Sequence, residues 1–427
     1  MPSKRSKWLW QQFDVLESRT GKSVGLAQLA LIFTVLDFSL SDNPFFGTGR
    51  IFYVALFCAL ASLIMCRGSL VHAGRIGFPL LALFWWEAAS LLWTHSSSGT
   101  YDSIKLQMVV FFTLWALAAT KDVVYLVLGI VASGYTFFIV AGVSLVTDFR
   151  RSTTPQGATP PGFHGWAGEK NQFGMVCMMF TLVFLCDTVR TGRRIPVVVG
   201  FGLLLFSQSS TSLACFLAGA ACFALRRMIQ NRSRTGVRAL LIGSVCAASA
   251  LLLSGRLDIT TGAAVLGREG TLTGRTAIWD GVWQLIQRRP INGFGFGGVW
   301  GPGNSLSQFV SRIAGFTAPH AHSAYLDLTV QTGVVGLSLY LLAIGRLFRG
   351  GQLRGGSSSL IAVSLGAAIA VSSVSESLVV IRTMQIFLGL ASLAVGMSAS
   401  SGAVPPEIRI KNEELSGRAR SVVVAVV

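Results

Sequence analysis

Two histidines, His320 and His322, form an H-x-H pair at the end of a segment holding Arg256, Arg268, Arg275, Arg288, Arg289 and Arg312 but only three acids, Asp258, Glu269 and Asp280. Imidazole is the side chain whose ordinary pKa suits proton abstraction near neutrality, as activation of a sugar hydroxyl requires. Guanidinium never loses its charge at ordinary pH, and its planar donors match phosphate oxygens. Arginine for a diphosphate leaving group and histidine for a nucleophile make a transferase. The plainer reading puts the arginines at lipid headgroups and the histidines at a helix cap. Arg288 and Arg289, which precede Pro290, fit that reading best; Arg268, Arg275 and His322 fit it least.

Around these residues lie others that could line a substrate cavity. Trp279 follows Arg275, and Tyr325 follows the histidines. Between them runs a glycine-rich stretch, Asn292 to Gly303, which would let backbone approach a bulky substrate, with Phe294, Phe296 and Trp300 offering apolar faces to sugar rings or lipid. An earlier stretch, Gly168 to Gly174, contains Lys170, a candidate phosphate contact, and Asn171, a candidate hydrogen-bonding group, just before an apolar run. A third cluster, Ser207 to Ser212, includes Ser209 and Thr211 and reads either as a hydroxyl-lined cavity wall or as ordinary turn chemistry.

The elements that must position these groups are membrane helices. The 427 residues are 52% hydrophobic and 12% charged, with a mean hydropathy of +0.61, a balance foreign to soluble domains. The apolar residues fall in runs of about 15 to 25, as about 30 Å of hydrocarbon demands of helices, rather than in the alternation of a barrel. Candidate spans are 24–40, 51–66, 77–93, 106–120, 123–146, 173–189, 195–207, 212–225, 237–254, 334–348, 359–375 and 383–399. The expected fold is thus an all-α polytopic membrane protein of about 12 transmembrane helices, with a large extracytoplasmic loop before the tenth span. The run from Ile195 to Leu225 is too long for one helix and should break at the Ser207–Ser212 cluster.

An even number of spans puts both termini on one side. If that side is cytoplasmic, roughly two thirds of the 35 Lys and Arg residues lie there, as the positive-inside bias requires. Half of the remainder falls in the 255–321 loop, which is long enough to escape that bias. The net charge of +17 is therefore mostly topological, and no nucleic-acid partner is implied. The expected organisation is a cytoplasmic arm over 1–23, a transmembrane domain over 24–399 with extracytoplasmic loops at 147–172 and 255–321, and a cytoplasmic, disordered tail over 400–427. No small-residue cleavage site follows the first apolar run, so a removable signal peptide is not expected.

Other motifs do not hold. Thr20 to Ser23 imitates the end of a phosphate loop, but Leu16 stands where its leading glycine belongs. Gly293, Gly295 and Gly298 satisfy a dinucleotide pattern without its strand–turn–helix context. His320 and His322 lack partners for a metal, and the seven cysteines read as small buried thiols. Asp37, Glu87 and Asp187 form no obvious relay of the kind a transporter would need.

Five stretches, in this order, resemble the O-antigen ligase/polymerase superfamily of bacterial membrane glycosyltransferases, in particular its exopolysaccharide-polymerase branch. They are G-x-K-N-x-x-G at Gly168 to Gly174, S-x-S-x-T-S at Ser207 to Ser212, L-T-G-R-x-x-x-W at Leu272 to Trp279, P-x-x-G-x-G-x-G at Pro290 to Gly297, and H-x-x-Y-L…G-x-x-G at His322 to Gly336. The resemblance implies a GT-C-like helical fold in the bacterial inner membrane, with its active site facing the periplasm. It implies transfer of a glycan from a polyprenyl-diphosphate-linked oligosaccharide to an acceptor glycan hydroxyl, without cofactor or metal. It further implies His322 as the base, with His320 a second candidate, and Arg275 as a diphosphate ligand together with Arg268 or Arg312. A repeat-unit flippase and a chain-length regulator are the implied protein partners. Ser323 stands where asparagine is common. Three functions remain open: polymerisation of repeat units, ligation of glycan to lipid A core or protein, and, from another class, transport.

Overall fold

The computed structural model describes residues 19–39, 50–66, 70–120, 123–149, 152–153, 162–167, 169–192, 194–230, 271–301, 303–353, 357–376 and 378–401. The N-terminal arm to residue 18, the candidate span 237–254, Arg268 and the tail from 402 lie outside the described residues. Among those described, the chain is helical, and pairing of β type is limited to one isolated bridge, Thr153 to Phe163.

The helices are α1 (Arg19–Ser39), α2 (Arg50–Cys66), the short α3 (Leu70–Ala73), α4 (Phe78–Ala89), α5 (Ser97–Ala119), α6 (Val123–Thr147), α7 (Lys170–Thr191), α8 (Ile195–Phe206), α9 (Ser210–Gln230), α10 (Thr271–Arg288), α11 (Ser305–Ala314), α12 (Ala324–Leu353), α13 (Ser357–Ser375) and α14 (Leu378–Ser401). Their ends carry ordinary punctuation. Proline enters at the first turn of α4 and α8, where its missing N–H costs nothing. Gly192 closes α7 in the left-handed conformation. The run from Ile195 to Leu225 does break at the serine cluster, between α8 and α9.

Six of these helices, α5, α6, α7, α9, α12 and α13, are long and apolar enough to cross a membrane, and four shorter apolar stretches, Ile51–Cys66, Phe78–Leu92, Ile195–Phe206 and Gln385–Ser398, accompany them. Large apolar side chains point outward from the bundle, among them Phe57 at 70% exposure, Ile139 at 64% and Val198 at 69%. Such a surface is untenable in water and ordinary in lipid. The protein is a multi-pass membrane protein.

One buried core runs through the bundle, from Ala27 and Leu31 on α1 to Phe387 and Ala391 on α14. α10 and α11 stand apart from it with a small core of their own, built from Ile278, Val282, Leu285, Val299 and Val310. Inside the bundle, Glu87 on α4 is fully buried. It accepts from Gln107 Nε2 on α5 at 2.7 Å and from Gln385 Nε2 on α14 at 2.8 Å, so three helices are pinned through one carboxyl. Glu87→Ala leaves both amides without their acceptor. We expect it to cost about 1–3 kcal/mol of stability, read as a lower melting temperature in detergent, while Glu87→Gln costs less.

α12 is broken. Gly333 sits at φ 70°, ψ −173° inside it, so the expected span at 334–348 is only the second half of a helix that begins at Ala324. Two carbonyls and one N–H freed at the break are paired with the backbone of residues 290–295. Phe294 N donates to Val330 O at 3.0 Å, Gly295 N to Gln331 O at 2.9 Å, and Val334 N to Pro290 O at 2.8 Å. Trp86 Nε1 takes Thr332 O at 2.8 Å. A Cβ at Gly293 would collide with the Gln331 backbone, and one at Gly333 with the Ile291 backbone. These glycines allow backbone to approach backbone, which corrects the expectation that they cradle substrate. Phe294 and Phe296 are likewise buried in packing and offer no free face of the kind expected, while the half-buried Trp300 donates Nε1 to Asp327 Oδ1 at 2.7 Å.

Candidate functional site

The glycine run anchors α10, α11 and the histidine loop over one end of the bundle. At that end meet the N-termini of α7, α9 and α12, the C-terminus of α13 and the N-terminal part of α10. Helix N-termini carry partial positive charge and unpaired N–H groups, which favours an anion where several converge.

His320 and His322 lie in the loop before α12, with ring centroids 4.0 Å apart. His322 adopts φ 52°, an unusual backbone conformation for a residue with a side chain, and its N–H points at His320 Nδ1 at 3.3 Å. The residue between them is held from both sides. Trp279 Nε1 donates to Ala321 O at 2.8 Å, and Ala321 N donates to Asp327 Oδ1 at 3.2 Å. Asp327, in the first turn of α12 and fully buried, therefore ties the histidine loop to Trp300. We expect Asp327→Ala, which strands both donors, to cost about 1–3 kcal/mol of stability, with Asp327→Asn costing less because its amide oxygen still accepts; melting temperature in detergent checks this.

Burial lowers the pKa of both histidines. For His320 the neighbouring His322 and Arg275 add to it, and the value falls to about 3; for His322 Arg275 adds to it, and the value falls to about 4. Both are neutral at ordinary pH and able to accept a proton.

Arg275 projects from α10 to the far end of α13, where Nη1 donates to Ser375 O at 3.4 Å. Next along the chain, Glu376 is buried. Desolvation raises its pKa to about 7, against the pull of Arg275 and a hydrogen bond from Thr211, and with a push from Glu169. Thr211 belongs to the first turn of α9. Behind it, Ser209 Oγ donates to Asn171 Oδ1 at 3.0 Å and meets Ser212 Oγ at 2.9 Å. A Cβ at Gly174 would stand 2.8 Å from Ser207 Oγ and 2.9 Å from Ser212 Oγ, so this glycine lets α7 seat the serine turn. Phe163 N donates to Phe206 O at 3.1 Å, which lays the segment before α7 on the same turn, and the alkyl stem of Lys170 packs at Gly162.

His320, His322, Arg275 and Thr211 are thus brought into one electrostatic neighbourhood, with Asn171 and Ser209 bonded behind Thr211. Trp279 and Tyr325 are engaged in the frame; Tyr325 donates its hydroxyl to Ala370 O at 2.9 Å. Ser323 Oγ donates to Ser373 O at 3.4 Å. Arg312 is exposed on the last turn of α11, and no hydrogen bond among the described residues joins it to Arg275. Arg288 and Arg289 lie over the rings of Phe309 and Phe294, at 4.5 Å and 5.1 Å from the centroids. Sequence reasoning missed Glu376 and Asp327. The signal for Glu376 was an acid directly after an apolar span; for Asp327 it was an acid in the first turn after the histidines.

Residues 195–341 match the sequence model of the O-antigen ligase family. That segment is similar to the O-antigen ligase family over about a third of the chain. It holds the serine turn, Arg275, the glycine run and the histidine loop. The chain is also 29% identical over 209 residues to the exopolysaccharide production protein ExoQ of Rhizobium meliloti, covering 44% of this chain and 46% of that relative. The chain thus matches less than half of that relative's length. α12 contributes to the matched residues up to Leu341, so its break at Gly333 and the facing Gly293 both fall inside them.

Proposed function

We propose that the protein is a membrane glycosyltransferase that joins polyprenyl-diphosphate-linked oligosaccharide repeat units into exopolysaccharide or O-antigen. The observation that carries this reading is the placement of Arg275 against both the neutral histidine pair and the α13 terminus, where helix N-termini converge. In the step proposed, His322 takes the proton of the acceptor hydroxyl and the freed oxygen attacks the anomeric carbon of the donor sugar. The bond from that carbon to the diphosphate breaks, and the electron pair leaves on the polyprenyl diphosphate beside Arg275. Thr211 offers a hydroxyl and Lys170 a further charge, with Arg268 or Arg312 as the second arginine. His320 neighbours the base, and Asn171, Ser209, Trp279 and Tyr325 form the supporting wall.

The reading includes about twelve spans in the bacterial inner membrane, with both termini cytoplasmic and the site at the periplasmic face. The second reading is ligation of glycan to lipid A core or protein: the matched family is named for O-antigen ligation, the relative for exopolysaccharide production. Deleting the gene and sizing both lipid-linked glycans and surface polysaccharide separates them. Loss of long polymer with single repeats accumulating on the carrier supports the polymerase. Full-length polymer stranded on the carrier means a ligase, and unchanged glycans in both pools contradict both.

A further inference from the structure

Glu376 is the first residue after α13 and only 4% exposed. Thr211, from the first turn of α9, hydrogen-bonds its side chain. Its Oε1 is buried and has no hydrogen-bond partner among the described residues. The guanidinium of Arg275 lies on the carbonyl of the preceding residue, Ser375. The charged and titratable groups facing this carboxyl are Arg275 from α10 and Glu169 from the segment before α7; His320 and His322 face the same Arg275. A buried acceptor oxygen without a donor is costly, and one that sits beside the arginine of an anion site has an evident use. An ionised carboxylate would repel a diphosphate there, whereas a protonated one adds a donor.

We propose that Glu376 is a ligand of the diphosphate in its protonated form, donating its O–H to a phosphate oxygen next to the Arg275 guanidinium. The inference rests on the diphosphate-donor reading above and adds to it one residue and one proton. No covalent bond of the donor changes on binding; a proton passes from solvent to the Glu376 carboxylate and stays there in an O–H···O⁻ hydrogen bond. The free carboxyl titrates near pH 7. Below that pH the proton is already present, and above it binding must collect one. Affinity therefore falls as pH rises past about 7, by up to about tenfold per pH unit.

Binding of farnesyl diphosphate to the full-length protein in lipid nanodiscs, titrated between pH 6 and pH 9, tests this. The ionisation of the probe is common to all variants, so the comparison isolates the carboxyl. Wild type is expected to lose affinity above pH 7, whereas Glu376→Gln, whose amide donates without a proton from solvent, binds at pH 6 and loses that dependence. Glu376→Leu is expected to bind at least about tenfold more weakly at pH 6. On wild type alone, calorimetry at pH 8 in two buffers of different ionisation enthalpy should register uptake of about one proton per ligand, where histidines titrating near 3 and 4 contribute little. Equal pH dependence in wild type and Glu376→Gln, or no proton uptake at pH 8, would overturn the role of Glu376 while leaving the donor reading intact. No binding at any pH, with Arg275→Ala no different from wild type, would overturn the donor reading and this role with it.

Discussion

Arg275→Ala is expected to abolish polymer formation, with a loss of about 10³-fold or more. A single preorganised donor at developing negative charge accounts for about 10²–10³ in rate, and Arg275 supplies two donors together with a full charge. Arg275→Lys should recover little, remaining about 10²-fold below wild type, because a point charge on a flexible stem cannot reproduce the planar fork. The substitution does not leave a buried carboxylate stranded. Arg275 holds the Glu376 pKa down, so its removal moves Glu376 further toward the neutral acid. The hydrogen bond from Arg275 to Ser375 O is a modest structural contact, and thermal denaturation of the variant separates its loss from the loss of transfer. Normal polymer length in cells that carry Arg275→Ala would sink the assignment.

The second large effect is at His322. Its replacement by alanine should leave binding of the lipid donor intact and lower the rate about 10²–10⁴-fold, the usual contribution of a positioned general base. The sign of the pH dependence follows from the environment. Burial and Arg275 lower the His322 pKa to about 4, so the imidazole is free to accept a proton down to that pH. The acid limb of kcat/KM should accordingly lie near pH 4 instead of near 6.5, with the alkaline limb set by Glu376 at about pH 7. An acid limb at 6.5 that survives in His322→Ala would place the base elsewhere. If His320→Ala proves the lethal change, the two histidines exchange roles.

Much of this arrangement was legible in the sequence, and the parts that were not share a cause. The apolar runs located the helices because hydrocarbon thickness fixes run length, and the serine cluster located the α8–α9 turn because hydroxyl and amide side chains compete with helix hydrogen bonding. Arg275, His320, His322 and Thr211, singled out by chemical type, lie in one electrostatic neighbourhood. What stayed hidden depends on pairing across long sequence separations. The glycines at 293 and 333 meet each other's flanking backbone, and a single glycine inside an apolar run gives no sign of a broken helix. Glu376 and Thr211 are 165 positions apart in the chain, so an acid at a span end read as unremarkable. Asp327 likewise takes its importance from Trp300 Nε1 and Ala321 N. Trp279 reads as a residue that could line a substrate cavity, and its indole N–H fixes the carbonyl between the histidines.

The central claim is that this chain transfers glycan from a lipid diphosphate through Arg275 and His322. The direct measurement reconstitutes the full-length protein in liposomes with polyprenyl-diphosphate-linked repeat units as both donor and acceptor, and follows glycan length together with free polyprenyl diphosphate. Longer glycans with one polyprenyl diphosphate released per linkage, lost in both Arg275→Ala and His322→Ala, is the predicted result. Unlengthened repeats with no carrier released by wild type, or equal release by both variants, would contradict it.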